Sequence, residues 1–288
     1  MKVLAFGEVL WDVFPDKKHL GGASLNFGAH LAKHGHSVYM LSALGQDDLG
    51  DAALAQIKKW GMMTEYISTL PDQQTGKCVV SLDKNGLPSY NLLQDVAYDH
   101  IRTDKVAGSF DVLYFGTLAL RGSYNRQSLK KLLEYNNFAH IFVDLNIRPP
   151  FHFAETVAFG VEKATILKIS DEELGVVAQL LGMEHQAPGI FAKELATKYP
   201  NLQYIIITLG GDGAYTLDCK AGTDYTCPCE KVDVVSTVGA GDSFSAAFVH
   251  QFTGGADLTG CLQYASKVAG FVVSRQGAVP DYTPEQFL

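Results

Sequence analysis

The sequence is short of basic residues and of long apolar runs, and both shortages exclude classes of protein. Among its 288 residues, 23 are Lys or Arg and 31 are Asp or Glu, which gives a formal net charge of −8. A surface that binds nucleic acid is normally basic, so this balance argues against a nucleic-acid partner. No segment approaches the roughly 18 consecutive apolar residues of a membrane-spanning helix, so we expect no membrane partner. The opening residues 1–14 also lack the long apolar stretch and cleavage site of a signal peptide.

Cysteine is scarce as well, with five residues scattered along the chain. Cys227 and Cys229 form the only close pair, and no second pair completes the spacing of a zinc site. Reduced thiols in the cytosol explain this pattern most simply. Hydrophobic residues make up 47% of the chain, enough to bury a sizeable core. These features predict a soluble, cytoplasmic, globular protein.

Short β-branched runs alternate with amphipathic segments over most of the chain. Continuous apolar runs of this length are typical of strands buried on both faces of a parallel sheet. Strands are predicted at 3–6, 38–43, 112–115, 141–144, 166–169 and 204–208, and helices at 24–34, 49–60, 123–136, 171–181 and 190–198. This alternation predicts one α/β domain over 1–288, built on a doubly wound, mostly parallel sheet flanked by helices.

Residues 77–93 break the alternation. Two strand-like runs flank Asn85-Gly86, a dipeptide that favours the type I′ turn of a β-hairpin. Such a hairpin cannot easily join a parallel sheet, so we predict a small antiparallel β lid formed by segments near 12–20 and 75–100. Open α/β sheets bind ligands beyond the carboxyl ends of their strands, where a lid could close over a pocket.

The segment 234–248, VVSTVGAGDSFSAAF, carries the clearest chemical signal. A β-branched run leads into Gly239-Ala240-Gly241, and a helical pattern follows from Asp242. Small residues allow backbone amides to approach an anion, and the start of a helix adds its positive end. Asp242 lies in the first turn, where the dipole favours the ionised carboxylate, and is a candidate general base beside a transferring phosphoryl group. For this segment alone, an ordinary N-terminal acid after a glycine turn remains the alternative.

Other glycine turns and carboxylates could contribute to the same site. GGASLN at 21–26 opens a helix, and the amide of Asn26 could bind a polyhydroxyl ligand. Glu8 and Asp12 follow the first strand, where carboxylates could accept from hydroxyl groups. TLGGDG at 208–213 follows another strand. Taken singly, each glycine pattern could be a plain β-turn.

Taken together, these segments resemble the ribokinase-like (PfkB) family of carbohydrate kinases. The matching pieces span nearly the whole chain in the family's order: GEVLWD at 7–12, GGASLN at 21–26, FGTLALR at 115–121, DLNIRP at 144–149, LKISDEE at 167–173, TLGGDG at 208–213 and STVGAGD at 236–242. The first, third and fifth of these pieces are most similar to bacterial fructokinases. The resemblance implies a ribokinase-like fold with a small β lid, and transfer of the γ-phosphoryl group of ATP, with Mg²⁺, to a sugar hydroxyl.

The resemblance also implies roles for individual residues. It makes Asp242 the catalytic base and the amides of Gly239, Ala240 and Gly241 the anion hole. The residues implied in sugar binding are Asp12, Gly22, Asn26, Asn146 and Arg148. The residues implied in ATP binding are Ser170, Thr208, Gly210, Gly213 and Ser266, and Glu173 would hold the metal through water.

Two departures from the family pattern stand out. Ser236 occupies the place of an aspartate that contributes to a monovalent-cation site, which leaves dependence on such a cation open. Ser170 replaces the asparagine of the NxxE motif with a shorter hydroxyl.

Several alternatives stay open at this stage. We predict a fructose kinase, but the acceptor could be ribose, a nucleoside or a 2-keto-3-deoxy sugar acid, since Arg148 could pair with a carboxylate. A non-catalytic homologue that binds sugar or nucleotide is a third hypothesis.

Exposed lid edges favour a homodimer formed through the lid. His30, His34 and His36 have the spacing of a metal site but lack an acidic partner, so we expect an exposed helix end there.

Overall fold

Strands and helices alternate along most of the chain in the structure, a computed structural model that describes residues 1–82 and 88–287. The strands are β1 (Lys2–Phe6), β2 (Leu10–Val13), β3 (Lys18–Gly21), β4 (Ser37–Gly45), β5 (Ile67–Leu70), β6 (Gly76–Leu82), β7 (Pro88–Leu92), β8 (Ser109–Gly116), β9 (Asn137–Asp144), β10 (Ile166–Ser170), β11 (Tyr204–Thr208), β12 (Ala214–Asp218) and β13 (Thr223–Cys227). The α-helices are α1 (Ala23–Lys33), α2 (Asp48–Lys59), α3 (Ser123–Tyr135), α4 (Ala154–Lys163), α5 (Asp171–Leu181), α6 (Pro188–Lys198), α7 (Ala240–Thr253) and α8 (Leu258–Val273).

The central sheet has nine strands in the order β13-β12-β11-β10-β9-β8-β1-β4-β5. The pairs from β5 to β11 are parallel, and β12 and β13 add two antiparallel pairs at one edge. The predicted mostly parallel, doubly wound sheet is therefore confirmed. The chain runs from β1 to β4 on one side and later returns to β8 on the other, so the strand order reverses at β1. Open α/β sheets bind their ligands beside such a reversal.

Helices bury both faces of this sheet. Along β1, Val3 and Ala5 pack in the cluster with α1, α2, α7 and α8, whereas Leu4 and Phe6 pack in the cluster with α3, α4, α5 and α6. This alternation is the consequence of the two-residue period of a strand. It explains why the buried strands are apolar at successive positions.

A second, four-stranded sheet has the order β3-β2-β6-β7. Its outer pairs are antiparallel, as expected for a small separate sheet, and its central pair, β2 with β6, is parallel. The strands come from the segments near 12–20 and 75–100 from which the lid is predicted. The Asn85-Gly86 turn falls outside the described residues.

Several elements had no counterpart in the sequence prediction, among them α4, β5, β12 and β13. In α4, Gly160 lies against the sheet, where a Cβ would come within 3.3 Å of Val143 Cγ1. A glycine inside a helix weakens the helical signal but permits this close packing. Among the described residues, no helix is both long enough and apolar enough to cross a membrane.

The histidines at the end of α1 are buried, so the expectation of an exposed helix end is wrong for His30 and His34. Each is less than one tenth exposed. His34 donates from Nδ1 to His30 O (2.7 Å), and its Nε2 lies 3.1 Å from the Tyr264 hydroxyl. The sequence pattern missed this because the aromatic partners lie more than 200 residues away along the chain.

His34→Gln should make stability less dependent on pH. Burial, and then the charge of His250, lower the pKa of His34 from 6.5 to about 4. The folded state therefore resists protonation, and the free energy of unfolding falls as the pH drops from 6.5 towards 4. Denaturant titrations should show that, from pH 8 to pH 5, the free energy of unfolding of the wild type falls by about 1–2 kcal/mol more than that of His34→Gln.

His185→Gln, at an exposed histidine, is the matched control and should behave like the wild type. If the free energy of unfolding fell by the same amount in the wild type and in His34→Gln between pH 8 and pH 5, this account would be contradicted.

Candidate active site

The turn before α7 is shaped by close backbone contacts. Gly239 precedes the helix with φ of +81°, and a Cβ there would lie 2.5 Å from Ala278 O. Only glycine tolerates both the left-handed conformation and this approach. Gly241 is the second residue of α7, so its amide has no acceptor within the helix. The amide of Ala240 donates to Thr237 O (3.2 Å), so one of the three amides expected to bind a phosphoryl group is engaged in the turn.

Asp242 is buried in the first turn of α7. Asn26 Nδ2 donates to Asp242 Oδ2 (2.8 Å), which joins two positions 216 residues apart. Burial raises the pKa of Asp242 to about 7; the hydrogen bond from Asn26 opposes this rise. The sequence predicted that the helix dipole would favour the ionised form, but desolvation outweighs it. An acid that titrates near neutral pH is suited to act as a general base.

A buried ion pair lies beside the same turn, and the sequence analysis did not identify it. Lys168 Nζ is 2.8 Å from Asp144 Oδ2, and both residues are at most 4% exposed. Ser245 Oγ lies 3.1 Å from the same oxygen. A Cβ on Gly241 would lie 3.4 Å from Lys168 Nζ, so this cation adjoins the positive end of α7. A lysine inside an apolar strand was the available signal, because burial requires a charged partner.

The start of α1 adjoins the carboxylate of Glu8. Glu8 Oε1 accepts from the amide of Ala23 (2.8 Å), and a Cβ on Gly22 would lie 2.3 Å from Glu8 O. Gly22 has φ of +123°, which favours glycine. Asp12 lies in β2 of the second sheet, and burial raises the pKa of its carboxyl.

Arg148 lies after β9 in an exposed position near the three acids described above. Its positive charge lowers the pKa values of Asp242, Asp12 and Glu8, against the larger effect of burial on each. Asn146, two residues earlier, has φ of +40°, so the chain turns sharply as it leaves the strand. The structure thus brings the predicted sugar-side residues and the predicted base to one region.

Glu173 ties α5 to the segment that carries Arg148. Its Oε1 accepts from the amide of Ile147, and its Oε2 accepts from the amide (2.8 Å) and the hydroxyl (2.9 Å) of Ser170. Ser170 and Glu173 thereby form a capping box at the start of the helix. The replacement of asparagine by Ser170 preserves a donor to this carboxylate.

The nucleotide-side residues follow neighbouring strands. Ser170 at the end of β10 pairs with Thr208 at the end of β11. Gly210 has φ of +54°, and Gly213 has φ of +109° with Cys227 O only 2.0 Å from the position of a Cβ. Ser266 is half-buried in α8, which packs against β12 and β13, the two strands beyond β11 at the edge of the sheet.

Within the described parts of the chain, no three His, Cys, Asp or Glu side chains are grouped as metal ligands. Glu173 is half-buried, and each carboxylate oxygen has two lone pairs, so Oε1 can still accept from a metal-bound water. Mg²⁺ normally keeps several waters and takes further oxygen ligands from substrate phosphates. The residues present therefore fit a metal held through water rather than in a protein cage.

Comparison with known proteins gives a family match over almost the whole chain. The family of pfkB carbohydrate kinases matches residues 3–285. Probable fructokinase-3 of Arabidopsis thaliana is 26% identical, over 96% of this chain and 87% of its own. Aminoimidazole riboside kinase of Salmonella typhimurium is also 26% identical, over 84% of this chain and 78% of its own. Ribokinase of Dictyostelium discoideum is 26% identical, over 92% of this chain and 87% of its own.

Solved structures share the fold. The fructokinase of Xylella fastidiosa with bound ATP superposes with a TM-score of 0.84 at 20% identity, over 99% of this chain and 96% of its own. The aminoimidazole riboside kinase of Salmonella enterica, complexed with aminoimidazole riboside and an ATP analogue, superposes with a TM-score of 0.82 at 22% identity, over 100% and 98%. The predicted ribokinase-like fold is confirmed.

The carboxyl of Asp242 should titrate near neutral pH, because burial disfavours its charged form. With aspartate labelled at the ¹³C carboxyl, one resonance should change with a midpoint near pH 7 and should be absent from Asp242→Asn. Asn26→Ala removes a hydrogen bond that favours the carboxylate, so the midpoint should rise further. A midpoint near pH 4 for Asp242 would contradict this description of the site.

Proposed function

We propose that this chain, which belongs to the pfkB family of carbohydrate kinases, phosphorylates a hexose, namely fructose, with ATP as the phosphoryl donor. Membership of the family makes it a sugar kinase, a phosphotransferase with an alcohol group as acceptor. The family resemblance seen in the sequence is thereby confirmed, and the non-catalytic alternative is set aside. The identity of the acceptor, the use of ATP with Mg²⁺ and the roles of individual residues are our proposals.

One observation carries the proposed mechanism: a buried carboxyl, Asp242, lies in the first turn of α7 with a pKa of about 7. We propose that it accepts the proton of the attacking sugar hydroxyl. A base with a pKa near the working pH combines a useful deprotonated fraction with enough basicity to take the proton. The hydrogen bond from Asn26 fixes the direction in which the carboxylate points.

The chemical step transfers one phosphoryl group. The sugar oxygen forms a bond to the γ-phosphorus while the bond from that phosphorus to the β–γ bridging oxygen breaks, so ADP leaves with the electron pair. The sugar hydroxyl proton passes to Asp242 and then to solvent. We propose that the amide of Gly241, the positive end of α7 and the ammonium of Lys168 stabilise charge on the transferred oxygens. This arrangement acts by position and electrostatics, which dominate phosphoryl transfer.

The remaining residues of the site are proposed to hold the substrates. Sugar hydroxyls would lie among Asp12, Gly22, Asn26 and Asn146, with Arg148 beside the transferred phosphate.

The nucleotide would lie against the ends of β10 and β11, near Ser170, Thr208, Gly210 and Gly213, with Ser266 on the adenine side. Mg²⁺, when bound, would neutralise phosphate charge, and Glu173 would hold it through water.

The acceptor is the least constrained part of the proposal. The fructokinase-like motifs and the relatives named as probable fructokinases favour fructose. Relatives of equal identity act on riboside and ribose, by their names, so those acceptors form the alternative class. Arg148, an exposed cation, would also accommodate the carboxylate of a 2-keto-3-deoxy sugar acid.

We also propose that the second sheet acts as a lid. Asp12 lies in this sheet and points a carboxylate towards Gly21, with Asp12 Oδ2 3.3 Å from the position of a Cβ there. Closure over the sugar would exclude water from the reacting groups. The single domain over 1–288 and the homodimer formed through the lid stay predictions.

Asp242→Asn should lower kcat by about 10²–10⁴-fold, because asparagine cannot accept the hydroxyl proton. Steady-state ADP release with saturating sugar measures this loss, and circular dichroism checks folding. Asp257→Asn is the matched control, since Asp257 is an exposed acid that caps α8 outside the site. A folded Asp242→Asn enzyme with near wild-type kcat would eliminate the assignment of the base.

An acceptor screen tests the substrate. Coupled ADP release should be measured with fructose, ribose, aminoimidazole riboside and 2-keto-3-deoxygluconate, each at several concentrations, with a reaction lacking acceptor as the blank. We expect the highest kcat/KM with fructose. Turnover of another acceptor together with none of fructose would contradict the hexose proposal and leave the family assignment intact.

A further inference from the structure

Helix α1 contacts the first turn of α7 at Asn26, and one helical turn later it contacts Ala278, which packs against the residue before α7. Asn26 donates directly to Asp242 (2.8 Å). His30, four residues later and on the same helix face, lies with its Nε2 2.9 Å from Ala278 O. The His30 side chain is completely buried, and the mechanism proposed above gives it no role.

Ala278 is the link between His30 and the catalytic turn. A Cβ built on Gly239 would lie 2.5 Å from Ala278 O, 2.7 Å from its Cα and 2.8 Å from its Cβ. Residue 239 thus lies directly against Ala278, closer than any residue with a side chain could. The segment that includes Ala278 therefore limits where Gly239, and with it the first amides of α7, can lie.

The hydrogen bonds of His30 fix the state of its ring. A carbonyl oxygen only accepts, so Nε2 must carry the hydrogen that is donated to Ala278 O. Nδ1 of the neutral ring then accepts from the Tyr282 hydroxyl (2.7 Å). Burial lowers the pKa of His30 to about 3, so the ring is neutral at neutral pH. Both ring nitrogens therefore hold the segment 278–282 in one position.

We propose that His30 is a positioning residue for phosphoryl transfer: its Nε2–H holds Ala278 against Gly239 and so fixes the amides at the start of α7 relative to Asp242. The inference rests on the proposed roles of that turn and of Asp242. A displacement of about 1 Å in such a site can cost about 10²-fold in rate. The loss should fall on kcat, because His30 touches no part of the proposed sugar site.

Two substitutions separate the contact with Ala278 from a general role in packing. The amide nitrogen of Gln reaches the position of the His Nε2, whereas the shorter Asn reaches only the position of Nδ1. His30→Asn should therefore lower kcat about tenfold or more, with KM for the sugar within about twofold of the wild type. His30→Gln should recover most of that kcat. His34→Gln, at the neighbouring buried histidine, is the matched control and should keep the wild-type kcat.

Melting temperatures of all variants set an assay temperature at which each is folded. Hydrogen exchange provides a second measurement that does not depend on turnover: the amides of 237–241 should exchange faster in His30→Asn than in the wild type or His30→Gln. Wild-type kcat in folded His30→Asn, or equal losses in the Asn and Gln variants, would overturn the inference. A wild type inactive on every acceptor would contradict only the proposed function. Exchange would then decide the inference, and unchanged exchange over 237–241 in His30→Asn would overturn it.

Discussion

The burial of one carboxyl against the start of a helix is the constraint on which the rest of the site depends. Removing Asp242 from water disfavours its charge, whereas Asn26, Lys168 and Arg148 favour it. Because desolvation is the largest of these effects, the pKa lies near 7 rather than near 4. A fully exposed acid would be too weak a base, and a carboxyl buried without these partners would stay protonated. The site depends on the balance between burial, which raises the pKa of Asp242, and these three partners, which lower it.

The residues that set the pKa of Asp242 come from distant parts of the chain. Asn26 comes from α1, Asp144 and Lys168 come from adjacent parallel strands, and Asp242 comes from α7. The parallel register of these strands places Lys168 directly opposite Asp144, the last residue of β9. The buried pair of Lys168 and Asp144 is favourable only while both partners are present, because either charge alone would be costly in the interior. This requirement couples the stability of the sheet to the electrostatics of the site.

The sequence was enough to predict the parts of the structure that depend on local pattern. Apolar runs predicted the buried strands, and glycine turns predicted the start of α7 and the loop after β11. It could not reveal the long-range contacts, such as the partners of His30 and His34, because pairing across the fold leaves no local pattern. It also misjudged the ionisation of Asp242, since the position in the helix is visible in a sequence and the depth of burial is not. The lysine in β10 carried a signal that physical reasoning could have used.

The most direct test of the account is a crystal structure of the protein with fructose and a transition-state mimic of the phosphoryl group, ADP with aluminium fluoride. The account predicts the mimic within about 2.7–3.1 Å of the Gly241 amide. It also predicts an attacking sugar hydroxyl within about 3 Å of the Asp242 carboxylate. A mimic bound away from the start of α7, or a sugar hydroxyl that meets a different acid, would contradict it.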